Sequence, residues 1–275
     1  MKRLNKLPIL MVLLTAMFPV FSGAQQQEQE QDSTALAKQT QNPVSSLVSV
    51  PFQFNFNTGG GIKDETIFNL NIQPVIPIKL NSRWNLIART IIPLNSYPGL
   101  DGLRSSGVGD IQEQLFLTPA KPGGMIWGFG PNFSLPTSTA APAQTGTWAM
   151  GPGFVALKMT GPWVVGAVAS QYWPLTDANG SPETNLFVLQ WFVNYNFGKG
   201  WAISASPVNT ANWDAVSGQR WTVPLGMGIT RTFVFNRQPM SLGVQYYRNV
   251  ERPSGAPGNQ LRFQLSLLFP LKKGK

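Results

Sequence analysis

The last strand-like segment of the chain, Leu261 to Pro270 (LRFQLSLLFP), alternates apolar and polar residues from Leu261 to Leu267 and keeps an apolar residue, Phe269, at the next position of the same face. Successive side chains of a β-strand point to opposite faces, so the pattern predicts a strand with one apolar and one polar face. A half-buried strand of a soluble sandwich fits this pattern, and so does the closing strand of an outer-membrane barrel, apolar outward and polar inward. The apolar face holds Leu261, Phe263, Leu265, Leu267 and Phe269, and the polar face holds Arg262, Gln264 and Ser266.

The same period of two begins near Val48 and recurs in twelve segments separated by turn-forming residues. The connections alternate between long and short, with 231 to 238 as the exception, which is typical of barrels with long outer loops and short periplasmic turns. A Greek-key sandwich gives no reason for this alternation. We therefore predict an all-β fold, a transmembrane antiparallel β-barrel of about twelve strands over residues 46–270, with the last segment closing against Val48 to Phe56.

Trp and Tyr residues cluster at the predicted strand ends. Ordinary core aromatics would show no such preference, whereas barrels carry an aromatic girdle at each membrane interface. Trp84, Trp163 and Trp201 follow short connections, and Trp148, Tyr172, Trp173 and Trp221 lie beside long ones. The distribution predicts two girdles.

The N-terminus has the three-part pattern of a secretion signal over residues 1–24: basic residues, an apolar run to Phe21, and small residues before Gln25. Residues 25–45 then form a polar periplasmic lead, in which QQQEQEQ is expected to be disordered and Asp32 to cap a short helix over Ser33 to Thr40. Residues 271–275 form a basic tail. The export signal and the barrel together predict the outer membrane of a Gram-negative bacterium.

Composition excludes several classes of function. The net charge is +9, but three basic residues lie in the signal and three in the tail, which leaves +3 on the body and no basic patch for nucleic acid. The chain has no Cys and no His, so Ser-His-Asp and Cys-His catalysis and His-ligated zinc are excluded. We predict no enzyme, no cofactor and no metal site.

The polar face of each strand gives candidates for the lining of the lumen. They are mostly neutral amides, which suit hydrogen bonds to a solute or to water, but a structural network that fills a narrow interior needs the same residues. A barrel of twelve strands, about 4.8 Å apart and tilted by about 40°, leaves a passage at most about 10 to 12 Å wide once the side chains are included. The candidates are Asn69, Asn71, Gln73, Arg89, Asp110, Gln112, Gln114, Asn132, Gln190, Asn194, Arg262 and Gln264.

Glu113 has the parity of Ile111 and Leu115, opposite to Asp110 and Gln114, so a regular strand cannot turn both acids inward. A bulge at this point, or a position near the lipid headgroups, would resolve the conflict. Pairing of Arg89 with Asp110 or Glu113 is an open alternative.

The outer loop 209–220 is a second candidate region. Its Trp213, Asp214 and Arg220 could form a mouth for aromatic solutes. An exposed turn packed by its own tryptophan is an equal alternative.

Several stretches resemble one family of bacterial outer-membrane proteins. They are GVGDIQEQLFLTPAKPGGMIWGFGPNFSLPT (107–137), MTGPWVVGAV (159–168), SGQRWTVPLGMG (217–228), LRFQLSLLFP (261–270) and AKQTQNPVSSLVSVPFQFN (37–55). Members are commonly labelled as components of a meta-pathway of phenol degradation, as transporters or, misleadingly, as neuromedin U. The resemblance implies a barrel and a role in the uptake of small, often aromatic, compounds. It implies no catalytic residue.

These observations favour a passive pore or facilitator for small molecules. The alternatives are a non-transporting structural barrel with a closed lumen, a barrel hydrolase and a soluble secreted β-protein. The expected partners are outer-membrane lipid, a small solute and the barrel-assembly machinery, which would bind the signal formed by Phe263, Leu265, Leu267 and Phe269.

Overall fold

The structure is a computed structural model that describes residues 25–61, 64–99, 103–139, 147–175 and 185–269, with side chains from residue 33 onward. The predicted signal at 1–24 and the basic tail at 271–275 lie outside the described residues. Among the described residues, no helix is both long and apolar enough to cross a membrane.

One helix precedes fifteen β-segments. The helix is α1 (Gln25–Thr40), and the segments are β1 (Val48–Thr58), β2 (Ile67–Ile72), β3 (Val75–Lys79), β4 (Trp84–Pro98), β5 (Arg104–Val108), β6 (Ile111–Pro119), β7 (Ile126–Leu135), β8 (Ala149–Thr160), β9 (Trp163–Pro174), β10 (Leu186–Gly198), β11 (Trp201–Ala205), β12 (Val208–Asn212), β13 (Trp221–Phe235), β14 (Gln238–Glu251) and β15 (Asn259–Phe269).

All segments belong to one antiparallel sheet that closes on itself. β1 pairs with β15 from Val48 opposite Phe269 to Thr58 opposite Asn259, and β9 pairs with β10, which completes the ring. Three strands are interrupted, between β2 and β3, β5 and β6, and β11 and β12, so the fifteen segments make twelve crossings of the wall. Pro74 and Pro207 stand at two of the interruptions, because proline cannot donate to a β-ladder. The predicted twelve-stranded barrel and its closing pair are confirmed.

The outer wall is apolar and the lumen is polar. Large side chains that are exposed outward include Ile76, Phe129, Phe154, Met227 and Leu261. The alternate positions carry buried amides, hydroxyls and two buried arginines. The sheet therefore faces apolar surroundings outside and a polar interior, as the period of two predicts.

The connections alternate between long and short at most positions. The predicted long connection at 231 to 238 is wrong, because β13 and β14 are joined by a two-residue turn at Asn236 and Arg237. Both residues have positive φ, 47° and 66°, which matches the twist of a tight hairpin. No glycine marks this turn in the sequence. We call the end of the barrel that carries this turn, 161–162 and 199–200 the short-turn end.

Exposed tryptophans mark both ends of the wall. Trp163 lies at the short-turn end, and Trp148, Trp173 and Trp221 lie at the long-loop end. Tyr172, predicted for the same girdle, is instead 1% exposed and points into the lumen. Its neighbour Trp173 takes the outward position, as strand alternation requires.

The helix begins at Gln25, earlier than the predicted start at Ser33, so Asp32 lies within it and not at its cap. Gln and Glu are good helix formers, and they continue the helix through the QQQEQEQ stretch that we expected to be disordered. The helix contacts β10, β11 and β13 at the short-turn end. Residues 41–47 then run to the start of β1.

An apolar cluster packs inside the lumen near the short-turn end. It joins Val44 of the lead to inward residues of six segments, which are Val75, Ile87, Phe116, Val155, Leu157, Val164, Val168 and Phe192. A purely polar lumen would contain no such cluster. The lead is therefore held by hydrophobic burial as well as by hydrogen bonds.

Candidate functional site

Arg89 lies at the centre of a layer of glutamines inside the barrel. Its guanidinium donates to the Oε1 atoms of Gln73 at 2.9 Å, Gln114 at 3.2 Å and Gln190 at 3.2 Å. The side chain is only 8% exposed. These three partners are all neutral, so amide dipoles, and no carboxylate among them, stabilise the buried positive charge of Arg89. We call these residues the Arg89 layer.

The layer extends around much of the wall. Gln73 donates to Gln53 at 3.0 Å, and Gln53 donates to Gln264 at 3.3 Å on the closing strand. On the other side, Gln114 donates to Ser170 at 3.2 Å and to the Tyr172 hydroxyl at 3.3 Å. The inward face of the strands thus forms one connected polar network at this depth.

One bond of the layer crosses the lumen. Arg89 is on β4, the third crossing, and Gln190 is on β10, the eighth of twelve, so the two residues stand on nearly opposite walls. The Gln114 bonds to Ser170 and Tyr172 also join strands that are not neighbours. The side chains of this layer therefore narrow the lumen well below the predicted 10 to 12 Å or so.

A second buried arginine lies nearer the long-loop end. Arg262 donates to Asn55 Oδ1 at 2.9 Å, to Gln260 Oε1 at 3.0 Å and to the Ser206 carbonyl at 3.1 Å. Its guanidinium also stands 5.0 Å from the centre of the Tyr247 ring, where a cation–π contact forms. Ser206 belongs to the interruption between β11 and β12, so the break brings a backbone carbonyl within reach of the arginine.

A cavity of about 130 Å³ lies between the Arg89 layer and the lead. Arg89, Gln190 and Gln264 form part of its lining, and Thr40 and Asn42 of the lead form another part. Gln245 also lines it and is 4% exposed. Within the described residues its Oε1 atom is buried without a hydrogen-bond partner. The cavity is thus polar and bordered by a cation, with one acceptor unused.

The lead closes the barrel beneath this cavity. The amides of Gln41 and Asn196 donate to each other, both at 3.0 Å, and Lys38 donates to the Gly161 carbonyl at 2.9 Å. These bonds fix the lead to the short turn at 161–162 and to β10.

The remaining predicted lumen residues have structural partners. Asn69 accepts from Asn55 at 2.9 Å and donates to Asn71 at 3.0 Å and Asn95 at 2.8 Å. Asn194 donates to the Val164 carbonyl at 3.5 Å. These amides bind one another or the wall, as a filling network would.

Three candidates lie on β6 and β7 or beside them. Asn132 is fully buried and packs against Gly153. Gln112 is half-buried opposite Ser134. Asp110 accepts from the Ser138 backbone N–H at 3.0 Å, at the interruption before β6. None of these residues belongs to the lining of the cavity given above.

Glu113 lies on the outer face of the wall and accepts a hydrogen bond of 2.6 Å from the Thr90 hydroxyl. It therefore keeps the parity of Leu115, and the suggested pairing of Glu113 with Arg89 is wrong because the two residues lie on opposite faces of the sheet. Neither a bulge nor a turn inward is needed. A carboxylate held by Thr90 remains on an otherwise apolar surface.

The predicted mouth residues form contacts within their own loop and with the wall. Trp213 donates to Gln171 Oε1 at 3.1 Å and packs edge-on against Trp221 at 5.6 Å. Asp214 accepts from Asn185 at 3.1 Å, and Arg220 donates to the Ala215 carbonyl at 2.8 Å. This packing agrees with the alternative of a turn held by its own tryptophan.

Several residues of the site were missed from the candidate lining. Gln53, Asn55, Tyr172, Gln245 and Tyr247 all point inward and contact the Arg89 layer, Arg262 or the cavity. The alternation of their strands would have identified each of them, because each has the inward parity of its strand.

A closed twelve-stranded wall that is apolar outside and polar inside defines a β-barrel of the outer-membrane type. The family model described as "Putative MetA-pathway of phenol degradation" matches residues 44–265. The chain belongs to that family, and the resemblance noted in the sequence is confirmed.

Solved structures share the architecture. An outer-membrane channel from Pseudomonas putida F1 superposes with a TM-score of 0.60 at 15% identity, over 82% of this chain and 96% of that one. The NanC porin superposes with a TM-score of 0.50 at 10% identity, over 82% and 100%. At these identities the likeness concerns the fold alone. No curated protein matches the sequence significantly.

Proposed function

We propose that the protein is an outer-membrane channel for small molecules, with a lumen that is closed at rest by the lead and the Arg89 layer. The observation that carries the proposal is the polar cavity of about 130 Å³ enclosed within a wall whose outer face is apolar. A barrel that served only as a scaffold would gain stability from filling this space. The lead would form a gate on one side of the cavity, and the Arg89 layer would form a gate on the other side.

The location follows from the two faces of the wall. Apolar side chains outward and tryptophans at both rims fit a bilayer, and the short-turn end would face the periplasm of a Gram-negative cell. The proposed partners are outer-membrane lipid and the barrel-assembly machinery, which would recognise the strand that ends at Phe269. The proposed role is non-enzymatic, since the chain lacks His and Cys and among the described residues no cluster of acidic side chains could hold a metal ion.

The proposed solutes are small molecules, aromatic ones among them. The family description, which refers to phenol degradation, supports this choice. The narrow lumen favours solutes of a few non-hydrogen atoms over folded partners.

The test is solute flux into liposomes that contain the purified, folded mature chain. We expect slow flux above that of empty vesicles, and faster flux after deletion of residues 25–43, because the lead no longer closes the short-turn end. Heat-dependent mobility on a denaturing gel checks that each protein is folded. Folded protein without flux in either form would overturn the proposal.

The second candidate function is a barrel that does not transport. The hydrogen bond between Arg89 and Gln190 favours it, because the bond joins opposite walls and narrows the lumen independently of the lead. Deletion of the lead separates the two functions: a lumen closed permanently by side chains would remain impermeable.

A further inference from the structure

The cavity above the lead contains features that a water-filled gap does not need. Its described lining includes one cation, Arg89, whose three hydrogen bonds all go to glutamine oxygens. Those bonds use three of the five N–H donors of a guanidinium. The charge is therefore held in place by neutral groups, without a carboxylate among these partners.

A buried cation with neutral partners favours an anion as its next ligand. Amide dipoles stabilise the guanidinium only in part, and a negative charge at contact distance in a poorly solvated cavity adds a larger attraction. Arginine also binds carboxylates with good geometry, because its planar N–H groups match two oxygens. The chemistry on this side of the cavity thus selects a carboxylate.

A second polar contact comes from Gln245, on β14. Gln245 lines the cavity, and its Oε1 atom is buried and has no partner among the described residues. An unpartnered buried acceptor is costly, so it calls for a donor from the contents of the cavity. A hydroxyl group on the solute would supply that donor.

The rest of the lining includes apolar side chains. Val75, Val168 and Phe192 face the cavity and belong to the apolar cluster of the lumen, and Ala37 of the helix also contributes. A solute with a short hydrocarbon body would bury it against these residues. The volume of about 130 Å³ is well below the roughly 300 Å³ of a drug-sized pocket, so the solute is small.

We propose that this cavity is a binding site for a small organic carboxylate that carries a hydroxyl group, with the carboxylate on Arg89 and the hydroxyl on Gln245. The inference rests on the proposed function in one respect, since the cavity would lie on the route of transport. Binding itself can be measured without transport.

The first experiment measures binding to the folded full-length mature protein in detergent at pH 7, by ligand-observed NMR. The probes are butyrate, the neutral isostere butyramide, and 3-hydroxybutyrate. We expect butyrate to bind at least tenfold more tightly than butyramide, and 3-hydroxybutyrate more tightly than butyrate. Equal affinity for butyrate and butyramide would overturn the carboxylate assignment. Equal affinity for butyrate and 3-hydroxybutyrate would overturn the role of Gln245.

Variants of Arg89 and Gln245 test the carboxylate contact and the hydroxyl contact separately. Arg89→Gln should weaken butyrate binding at least tenfold, while Arg83→Gln, which removes the same charge from an exposed turn, should change it by less than twofold. Gln245→Leu should remove the preference for 3-hydroxybutyrate over butyrate. Unchanged butyrate affinity in the Arg89→Gln variant would contradict the proposal.

A further variant covers the case in which Arg89→Gln does not fold. Gln245→Glu keeps the size of the side chain and all hydrogen bonds of Arg89, but places a negative charge on the lining. It should weaken butyrate binding at least tenfold and leave butyramide binding unchanged. Equal effects on both probes would show that charge does not govern the site.

Flux measurements distinguish failure of this inference from failure of the proposed function. Binding of the carboxylate without flux in any variant would overturn the channel and keep the site. Flux that is equal for butyrate and butyramide and insensitive to Arg89→Gln would keep the channel and overturn the site.

Discussion

Gln41 and Asn196 hold each other through two amide hydrogen bonds, each 3.0 Å long, one residue in the lead and the other on the wall. Asn196 also donates to the Pro162 carbonyl at 2.9 Å, which fixes its amide for the pair. This contact ties the lead to the side of the barrel opposite the start of β1. It is the polar part of the proposed closure.

Gln41→Ala is expected to loosen the lead. Two hydrogen bonds at about 0.5 to 1.5 kcal/mol each amount to about 1 to 3 kcal/mol, and each 1.4 kcal/mol or so corresponds to a tenfold change in an equilibrium. The open time of single channels in planar bilayers should therefore rise about tenfold. Gln39→Ala, at an exposed position in the last turn of α1, serves as the control. Equal open times in the two variants would show that the amide pair does not hold the lead.

Gly153→Ala should destabilise the barrel. A Cβ atom at position 153 would lie 2.3 Å from Nδ2 and 2.5 Å from Oδ1 of Asn132, which is fully buried. We expect a loss of about 1 to 3 kcal/mol in the free energy of unfolding, measured in urea. The double variant Asn132→Ala/Gly153→Ala should recover much of this loss. Gly123→Ala, where a Cβ meets nothing within 4 Å, is the control.

Arg237→Gly should stabilise the protein. Arg237 has a φ of 66° in the hairpin turn between β13 and β14, a conformation that is strained for a residue with a Cβ. Glycine should therefore raise the free energy of unfolding by about 1 kcal/mol. Arg237→Ala keeps the Cβ and should give no such gain. A gain of equal size for alanine would point to the arginine charge as the cause.

Phe269→Ala should lower the yield of membrane-inserted protein. Phe269 is exposed outward at the end of the closing strand, opposite Val48. Loss of its ring removes the terminal aromatic of the proposed assembly signal, whereas deletion of residues 271–275 leaves the signal intact. Leu261→Ala, at the other end of the same face, is the matched control. A larger loss from the tail deletion than from Phe269→Ala would contradict the assignment.

The alternation of apolar and polar residues along the strands predicts most of the fold. It assigned Arg89, Gln190 and Arg262 to the lumen and paired Val48 to Phe56 with the closing strand, because a β-strand divides its residues between two faces regardless of partners. The same rule, applied to Tyr172 and Gln245, would have identified them as lumen residues. Tyr172 points into the lumen although aromatic residues favour membrane interfaces, because strand alternation decides the face on which it lies.

Other features depend on contacts that a local pattern does not contain. The bond between Arg89 and Gln190 forms because the barrel brings the third and eighth crossings within side-chain reach. Residues 41–47 have no periodicity, and their burial follows from the space left inside the wall. The turn at Asn236 lacks glycine, so nothing in its sequence marked a two-residue hairpin.

The wall-to-wall bond of Arg89 also determines how fast the interior can change shape. The diameter of a closed ladder is set by strand number and shear, and altering it requires many backbone hydrogen bonds to break together. At the depth of Arg89, the width is set instead by the rotamers of a few long side chains. Rotamer changes are far quicker than rearrangements of a packed wall, so the lumen at the depth of Arg89 would open and close much faster than the lead can leave it.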